Sequence, residues 1–128
     1  MPAVPKPTKK RKKKSTAVGK VKKLDAAIRE IVFRRDRVCV LCGSDDRLQW
    51  SHLISRVKTA TRWDLRNSVV MCAACHYRHH KQGPEAFTLW FIHAHGLTEY
   101  EALVAKSKTP LAPSERRRLV EKLLEEVG

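Results

Sequence analysis

The sequence has 128 residues, which is enough for one small domain with tails and excludes two large hydrophobic cores. Its formal net charge is +14, from 27 basic and 13 acidic residues, so nucleic acid is the first expected partner and an acidic membrane surface the second. No apolar run approaches the length that spans a membrane, and we expect a soluble protein of a reducing cytoplasm.

The N-terminal segment 1–23 is a basic arm. It carries ten of the basic residues and no acidic residue, and it is rich in proline and lysine. Because such a segment has little to bury, we predict that it is disordered. We favour an arm whose Lys10, Arg11 and Lys12 contact DNA phosphates without reading sequence. An inert solubilising tail and a nuclear-import signal are the alternatives.

From residue 24 the pattern predicts a helix, because apolar residues recur at intervals of three and four and share one face. These residues are Leu24, Ala27, Ile28, Ile31 and Val32. At the other end of the chain, 107–128 is expected to be a linker followed by a helix with a stripe of leucine and valine. We expect this stripe to dock on the domain of a monomer; a dimer contact is the alternative.

Four cysteines form two Cys-x-x-Cys pairs, Cys39 with Cys42 and Cys72 with Cys75. Each pair has the spacing of a knuckle that offers two thiolates to one metal ion, and four thiolates complete a tetrahedral zinc site. Two disulfides and buried free thiols are the alternatives. We expect no signal peptide that would send the chain to an oxidising compartment, so structural zinc is the prediction.

The segment between and after the cysteine pairs predicts a strand, a long loop, a strand and a helix. The strands are expected over 48–52 and 68–72, and the helix from Ala73 to the break at Gly83. A further helix is expected to end near Gly96, and Thr98 with Glu101 forms a capping box for the next one.

Three polar residues on these elements, His52, Asn67 and His76, stand at informative distances from one another. His52 is followed by fourteen residues and Asn67, then by eight residues and His76. This pattern, with its two knuckles, resembles the HNH (His-Me finger, ββα-metal) endonucleases over about 39–80, roughly a third of the chain. Three stretches are similar to phage recombination nucleases of the NinG/Rap type: HLISR, TRWDLRN and the later segment that runs from Pro84-Glu-Ala-Phe through Trp90 to Gly96.

The resemblance implies a small α+β fold, in which a ββα-metal core is stapled by the four-cysteine zinc site and flanked by helices within 24–106. It implies that His52 activates water, that Asn67 orients this histidine, and that His76 binds a catalytic ion. His80 matches an extra histidine ligand of the colicin-type branch. The catalytic ion is expected to be Mg²⁺, Mn²⁺, Ni²⁺ or Zn²⁺.

One residue departs from the family pattern. Many HNH nucleases have Asp or His just before the base histidine, where it binds the catalytic ion, whereas this chain has Ser51, a poor ligand. Asp64 is the nearest substitute in the loop, and a turn acceptor or arginine partner is an equal interpretation of Asp64.

Four cations in the loop are expected to face the DNA backbone, with ordinary surface charge as the alternative. They are Arg56, Lys58, Arg62 and Arg66.

The predicted function is a metal-dependent endonuclease that acts on double-stranded DNA. Its expected location is the cytoplasm, which is that of the bacterial host if a phage encodes the protein. A non-catalytic zinc-stabilised nucleic-acid-binding module is the first alternative. The second is a branched-DNA recombination nuclease that acts with other phage proteins.

Overall fold

The computed structural model describes residues 16–127. In this part of the chain helices predominate and two short strands form one antiparallel sheet, so the α+β class expected from the sequence is observed. No helix among the described residues has the length and apolar character needed to cross a membrane. The helices are α1 (Thr16–Asp36), α2 (Thr59–Arg62), α3 (Ala73–Gln82), α4 (Glu85–His95), α5 (Leu97–Ser107) and α6 (Pro113–Val127). The strands are β1 (Gln49–His52) and β2 (Ser68–Met71).

Helix α1 begins earlier than the sequence pattern predicted. Its first turns are formed by 16–23, which were expected to belong to the disordered arm. The reason is that Val21 extends the apolar stripe by one turn and packs against the same core as Leu24. Lys10, Arg11 and Lys12 lie outside the described residues.

Strand β2 is buried along its whole length because it separates two hydrophobic clusters. Val70 points into a cluster with residues of α1 and with Val120 of α6. Val69 and Met71 point to the opposite side, into a cluster with Phe87 of α4. Successive side chains of a strand alternate between its faces, which is how one strand serves both clusters. The leucine–valine stripe of α6 therefore docks on the domain, as predicted.

Pairing of the two strands brings the two ends of the long loop next to each other. His52 pairs with Ser68 and Ser51 pairs with Val69. The loop between them is more ordered than expected, because it contains α2 and a 3₁₀ turn at Leu65–Asn67. Asn67, the last residue of this turn, is thereby brought next to the end of β1.

Gly96 both ends α4 and begins α5. Its φ of +97° suits glycine, which has no Cβ to clash, and its N–H donates to the carbonyl of Ile92 at 2.7 Å. Helix α5 starts directly after it, so Thr98 lies inside the first turn. The capping box predicted for Thr98 and Glu101 is therefore not formed.

Candidate metal centre and histidine cleft

The four cysteines converge at one end of the sheet. Cys39 and Cys42 come from the turn that follows α1, and Cys72 and Cys75 come from the junction of β2 and α3. All four sulfur atoms lie within 4.8 Å of one another, and the Sγ atoms of Cys42 and Cys72 are 3.6 Å apart. Thiolates on tetrahedral zinc, with Zn–S of about 2.3 Å, lie about 3.8 Å apart. The cluster has the donors and spacing that zinc requires.

Local backbone geometry builds this cluster. Gly43 has a φ of +80° and donates its N–H to the carbonyl of Cys39 at 2.8 Å, which closes the first knuckle. In the second knuckle the Cys72 sulfur caps α3 by accepting the N–H of Cys75 at 3.5 Å. The Cys39 sulfur of the first knuckle accepts from the backbone N–H groups of Leu41 and Cys42, so N–H groups face sulfur in both knuckles, which favours thiolates over thiols.

The thiols differ in their proton affinity. Burial raises the pKa of Cys75 to about 12, and the neighbouring Cys39 sulfur acts in the same direction. Burial also acts to raise the pKa of Cys39, but the backbone N–H groups of Cys72 and Cys42 outweigh it and lower that pKa to about 7. One thiolate is therefore readily formed, whereas four together call for a bound cation.

Asn67 fastens the loop behind the sheet. Its side chain is fully buried, and its Oδ1 accepts the N–H of Ile54 at 2.8 Å. Its Nδ2 donates to the carbonyls of Ile54 at 2.9 Å and Thr61 at 3.1 Å, and its own carbonyl accepts the N–H of Leu53 at 2.8 Å. These bonds fix the backbone that follows His52.

His52 lies at the end of β1, and one of its two ring nitrogens forms a hydrogen bond to the loop backbone. Its Nε2 is 3.2 Å from the carbonyl oxygen of Arg62, so Nε2 donates the proton and Nδ1 is left as the basic atom. Burial lowers the pKa of His52 to about 4, against an ordinary value of 6.5. The charges of Arg56 and Arg62 act in the same direction, while the Arg62 carbonyl and Asp25 oppose them. The ring is neutral at neutral pH.

His76 and His80 lie one turn apart on α3, and their Nε2 atoms are 3.1 Å apart. Two imidazole nitrogens bound to one ion at about 2.1 Å are roughly 3 Å apart, so the pair has the spacing of two ligands of one ion. Ser51 Oγ lies 2.7 Å from His76 Nδ1. When that hydroxyl accepts the Nδ1 proton, the lone pair of His76 Nε2 is free for a metal.

Ser51 thus contacts the ring of His76 and orients it. Within 16–127 no third His, Cys or carboxylate lies close enough to His76 and His80 to complete a three-ligand set. His79 lines the same cleft as His76 and His80, but its Nε2 donates to the carbonyl of His52 at 3.2 Å, and its buried Nδ1 has no hydrogen-bond partner among the described residues.

One cleft of about 590 Å³ contains four of the site residues predicted from the sequence. His52, His76, His80 and Arg56 line it. Asn67 is buried behind it, with its side-chain atoms bonded to the loop backbone.

Asp64 does not line this cleft. Its carboxylate accepts the N–H of Arg66 at 3.0 Å, which caps the 3₁₀ turn, and it pairs with the side chains of Arg66 and Lys106. Burial acts to raise the pKa of Asp64, but these two cations hold it well below its usual range. Asp64 is a turn acceptor and cation partner in this fold.

The loop cations divide into two pairs. Arg62 forms a half-buried ion pair with Asp25 of α1, and Arg66 pairs with Asp64 and with Glu99 of α5. These two arginines join helices to the loop. Arg56 and Lys58 are exposed and, in the part of the chain that the structure describes, form no salt bridge. They are the loop cations that remain available to an anionic ligand.

Asp25 is a residue that the sequence analysis missed. Its Oδ1 accepts Arg62 Nε at 3.1 Å and Trp63 Nε1 at 2.8 Å, and Arg62 is the residue whose carbonyl holds His52. Burial opposes ionisation of Asp25, but the Arg62 and Trp63 hydrogen bonds leave its pKa below the ordinary value. Asp25 and Arg62 are 37 residues apart along the chain, and no local sequence pattern predicts a contact between them.

Asp25→Asn is expected to destabilise the fold by about 1–3 kcal/mol, because it leaves the half-buried Arg62 without a counter-charge. Asp46→Asn is the matched control, since Asp46 pairs with Arg47 on the exposed surface, and about 0.5 kcal/mol or less is expected there. Urea unfolding of the metal-loaded protein measures both. Equal urea midpoints for the two variants would contradict a stabilising role for the Asp25–Arg62 ion pair.

Comparison of the chain with protein-family models, with curated proteins and with solved structures gave no match.

Proposed function

We propose that this protein is a metal-dependent endonuclease that hydrolyses phosphodiester bonds in double-stranded DNA. In this proposal β1, β2 and α3 are a ββα-metal core like that of the HNH nucleases. The observation that carries the proposal is that one cleft contains both a neutral histidine with a free Nδ1, His52, and a pair of imidazoles at ligand spacing, His76 and His80.

His52 has the features of a general base for this reaction. Because Nε2 donates to the Arg62 carbonyl, Nδ1 takes the proton from water as the water oxygen attacks phosphorus. The bond from phosphorus to the 3′ oxygen then breaks, and the leaving oxygen gains a proton from solvent. The family resemblance implies 5′-phosphate and 3′-hydroxyl ends.

His76 and His80 would hold the catalytic divalent ion. A divalent ion bound there supplies charge stabilisation for the transition state and for the leaving oxygen. Nitrogen ligands suit Mn²⁺, Ni²⁺ or Zn²⁺, and Mg²⁺ would need more help from substrate phosphate. Ser51 keeps His76 in the tautomer that can bind the ion. The cysteine-bound zinc has a structural role, since four thiolates leave no open position.

A non-catalytic zinc-stabilised nucleic-acid-binding module is the second candidate. Ser51 favours it, because a site with two protein ligands binds an ion weakly. The unpaired Arg56 and Lys58 suit both candidates. The two functions differ in whether the cleft performs chemistry, and cleavage of DNA distinguishes them.

Supercoiled plasmid with a panel of divalent ions tests the proposal. We expect ion-dependent nicking or linearisation by the wild type and a loss of roughly 10²-fold in His76→Ala, since the ion contributes several kcal/mol to the transition state. His93→Ala is the matched control, because His93 is an exposed histidine of α4 outside the cleft. Tight DNA binding without cleavage under any ion would favour the binding module.

A further inference from the structure

The loop that follows β1 ends in a tight turn at the rim of the cleft. The N–H of Lys58 donates to the carbonyl of Ser55 at 2.9 Å, and the N–H of Val57 donates to Ser55 Oγ at 3.2 Å. Asn67 bonds both backbone groups of Ile54 at the base of this turn. Arg56 and Val57 therefore form a preorganised tip.

Val57 is exposed to an unusual degree for an apolar residue. Its exposed fraction is 77%, higher than that of the other large apolar side chains exposed within 16–127; Leu89 of α4 follows at 68%. A single exposed valine carries no meaning by itself. This one, however, stands between the unpaired cations Arg56 and Lys58, and Ser55 and Arg56 line the cleft that contains His52.

The chemistry of the tip matches duplex DNA. Cations on both sides of an apolar side chain can contact phosphates while that side chain reaches past them to the sugars and base edges. Proteins that enter a DNA groove in this way insert apolar wedges between base steps, which partly unstacks them. An acidic protein surface would satisfy the cations but would not require the apolar tip to sit beside a hydrolytic cleft.

We propose that Val57 inserts against a base step of duplex DNA next to the phosphate held in the cleft, while Arg56 and Lys58 contact the flanking phosphates. This inference rests on the proposed function, because it takes the cleft to be the DNA site. It also specifies the substrate: a wedge favours steps that unstack easily, such as TA and CA, and DNA weakened by a nick or branch.

The test uses a set of duplexes in which 2-aminopurine is placed at each base step in turn, including TA and CA steps, a nick and a branch. The protein carries His52→Ala, so that the DNA stays intact. We expect a rise in 2-aminopurine fluorescence at one step. The rise should fall by at least about threefold in Val57→Ser and be kept in Val57→Leu. Leu89→Ser, the matched loss of an exposed apolar side chain on α4, should keep the full rise.

Anisotropy of a labelled duplex, measured on the same samples, separates the outcomes. Bound DNA with no fluorescence rise, or a rise that Val57→Ser leaves unchanged, overturns the wedge. Failure of the protein to bind a duplex also overturns it. If the rise depends on Val57 but metal-loaded wild type does not cleave, the wedge stands and the nuclease proposal fails. If metal-loaded wild type cleaves DNA but no fluorescence rise depends on Val57, the nuclease proposal stands and the wedge fails.

Discussion

Stripping the metal from the cysteine cluster, or replacing Cys72 with serine, is expected to unfold the protein. A structural zinc ion in a small domain contributes about 10–16 kcal/mol, whereas the whole stability of a domain is about 5–15 kcal/mol. Loss of the ion therefore removes as much free energy as the fold has in total.

Of the four cysteines, Cys72 is the position at which replacement by serine tests the zinc prediction most directly. It is buried, its sulfur caps α3, and its Sγ lies 3.6 Å from that of Cys42. The cluster of hydrophobic residues that contains Phe87 and Phe91 also contains Cys72, so the candidate metal site and this core share residues. Serine would leave a buried hydroxyl where the zinc ligand belongs, and it would weaken the cap of α3.

Three measurements check this expectation. Elemental analysis should find zinc at about one ion per chain, as expected for one site of four cysteines. Circular dichroism and thermal unfolding should show loss of structure when a chelator is added, with recovery when zinc returns to the wild type and no recovery in Cys72→Ser. A metal-free protein with an unchanged unfolding curve would contradict the zinc prediction.

His52→Ala is expected to slow DNA cleavage by about 10²- to 10⁴-fold, the usual contribution of a general base. The loss should appear in kcat with little change in duplex binding, because in the proposed mechanism His52 acts on the attacking water and other residues hold the phosphates. Imidazole added to the buffer should restore part of the rate. Full cleavage by a correctly folded His52→Ala protein would contradict the mechanism.

The pH profile supplies an independent check on the same residue. Because burial lowers the pKa of His52 to about 4, its base form persists well below the ordinary value of 6.5. The acid limb of kcat/KM that belongs to this base should therefore lie near pH 4 instead of 6.5. A DNA phosphate in the cleft adds negative charge beside Arg56, so the limb in kcat should lie at higher pH than that in kcat/KM.

The same pKa has a consequence for stability with a definite sign. The folded pKa lies below the unfolded one, so the unfolded chain binds the extra proton first. The contribution of His52 is complete above about pH 6.5 and is lost as the pH falls towards 4. His52→Ala should remove this part of the acid sensitivity, whereas His93→Ala should leave both the stability profile and the cleavage profile unchanged.

Parts of the fold that depend on local pattern were predictable. The apolar spacing from Leu24, the alternation before His52 and the Cys-x-x-Cys pairs each specify an element or cluster within a few residues. The stripe of α6 was predicted to dock, and Val120 lies in the same core as Leu24. The start of α1 was misplaced because Val21, which extends the apolar stripe, stands among lysines in a segment with high positive charge.

Contacts between distant residues could not be predicted in this way. Arg62 appears in the sequence as one more loop cation, yet its side chain pairs with Asp25 and its carbonyl holds His52. A backbone carbonyl leaves no sequence signal at all. Ser51 was judged only as a missing ligand, because the position of His76 Nδ1 is known only once β1 and α3 are packed.

Strand β2 supplies residues to both hydrophobic cores, so we expect the described part of the chain to unfold as one cooperative unit. Val70 belongs to one core, and Val69 and Met71 belong to the other. Unfolding of either core therefore displaces β2 and disrupts the other core as well. Cys72 follows β2 directly, so the candidate metal site is connected to both cores. Helices α1 and α6, which contain no cysteine, are thus expected to melt in the same transition as the metal site, and partly folded forms should be scarce.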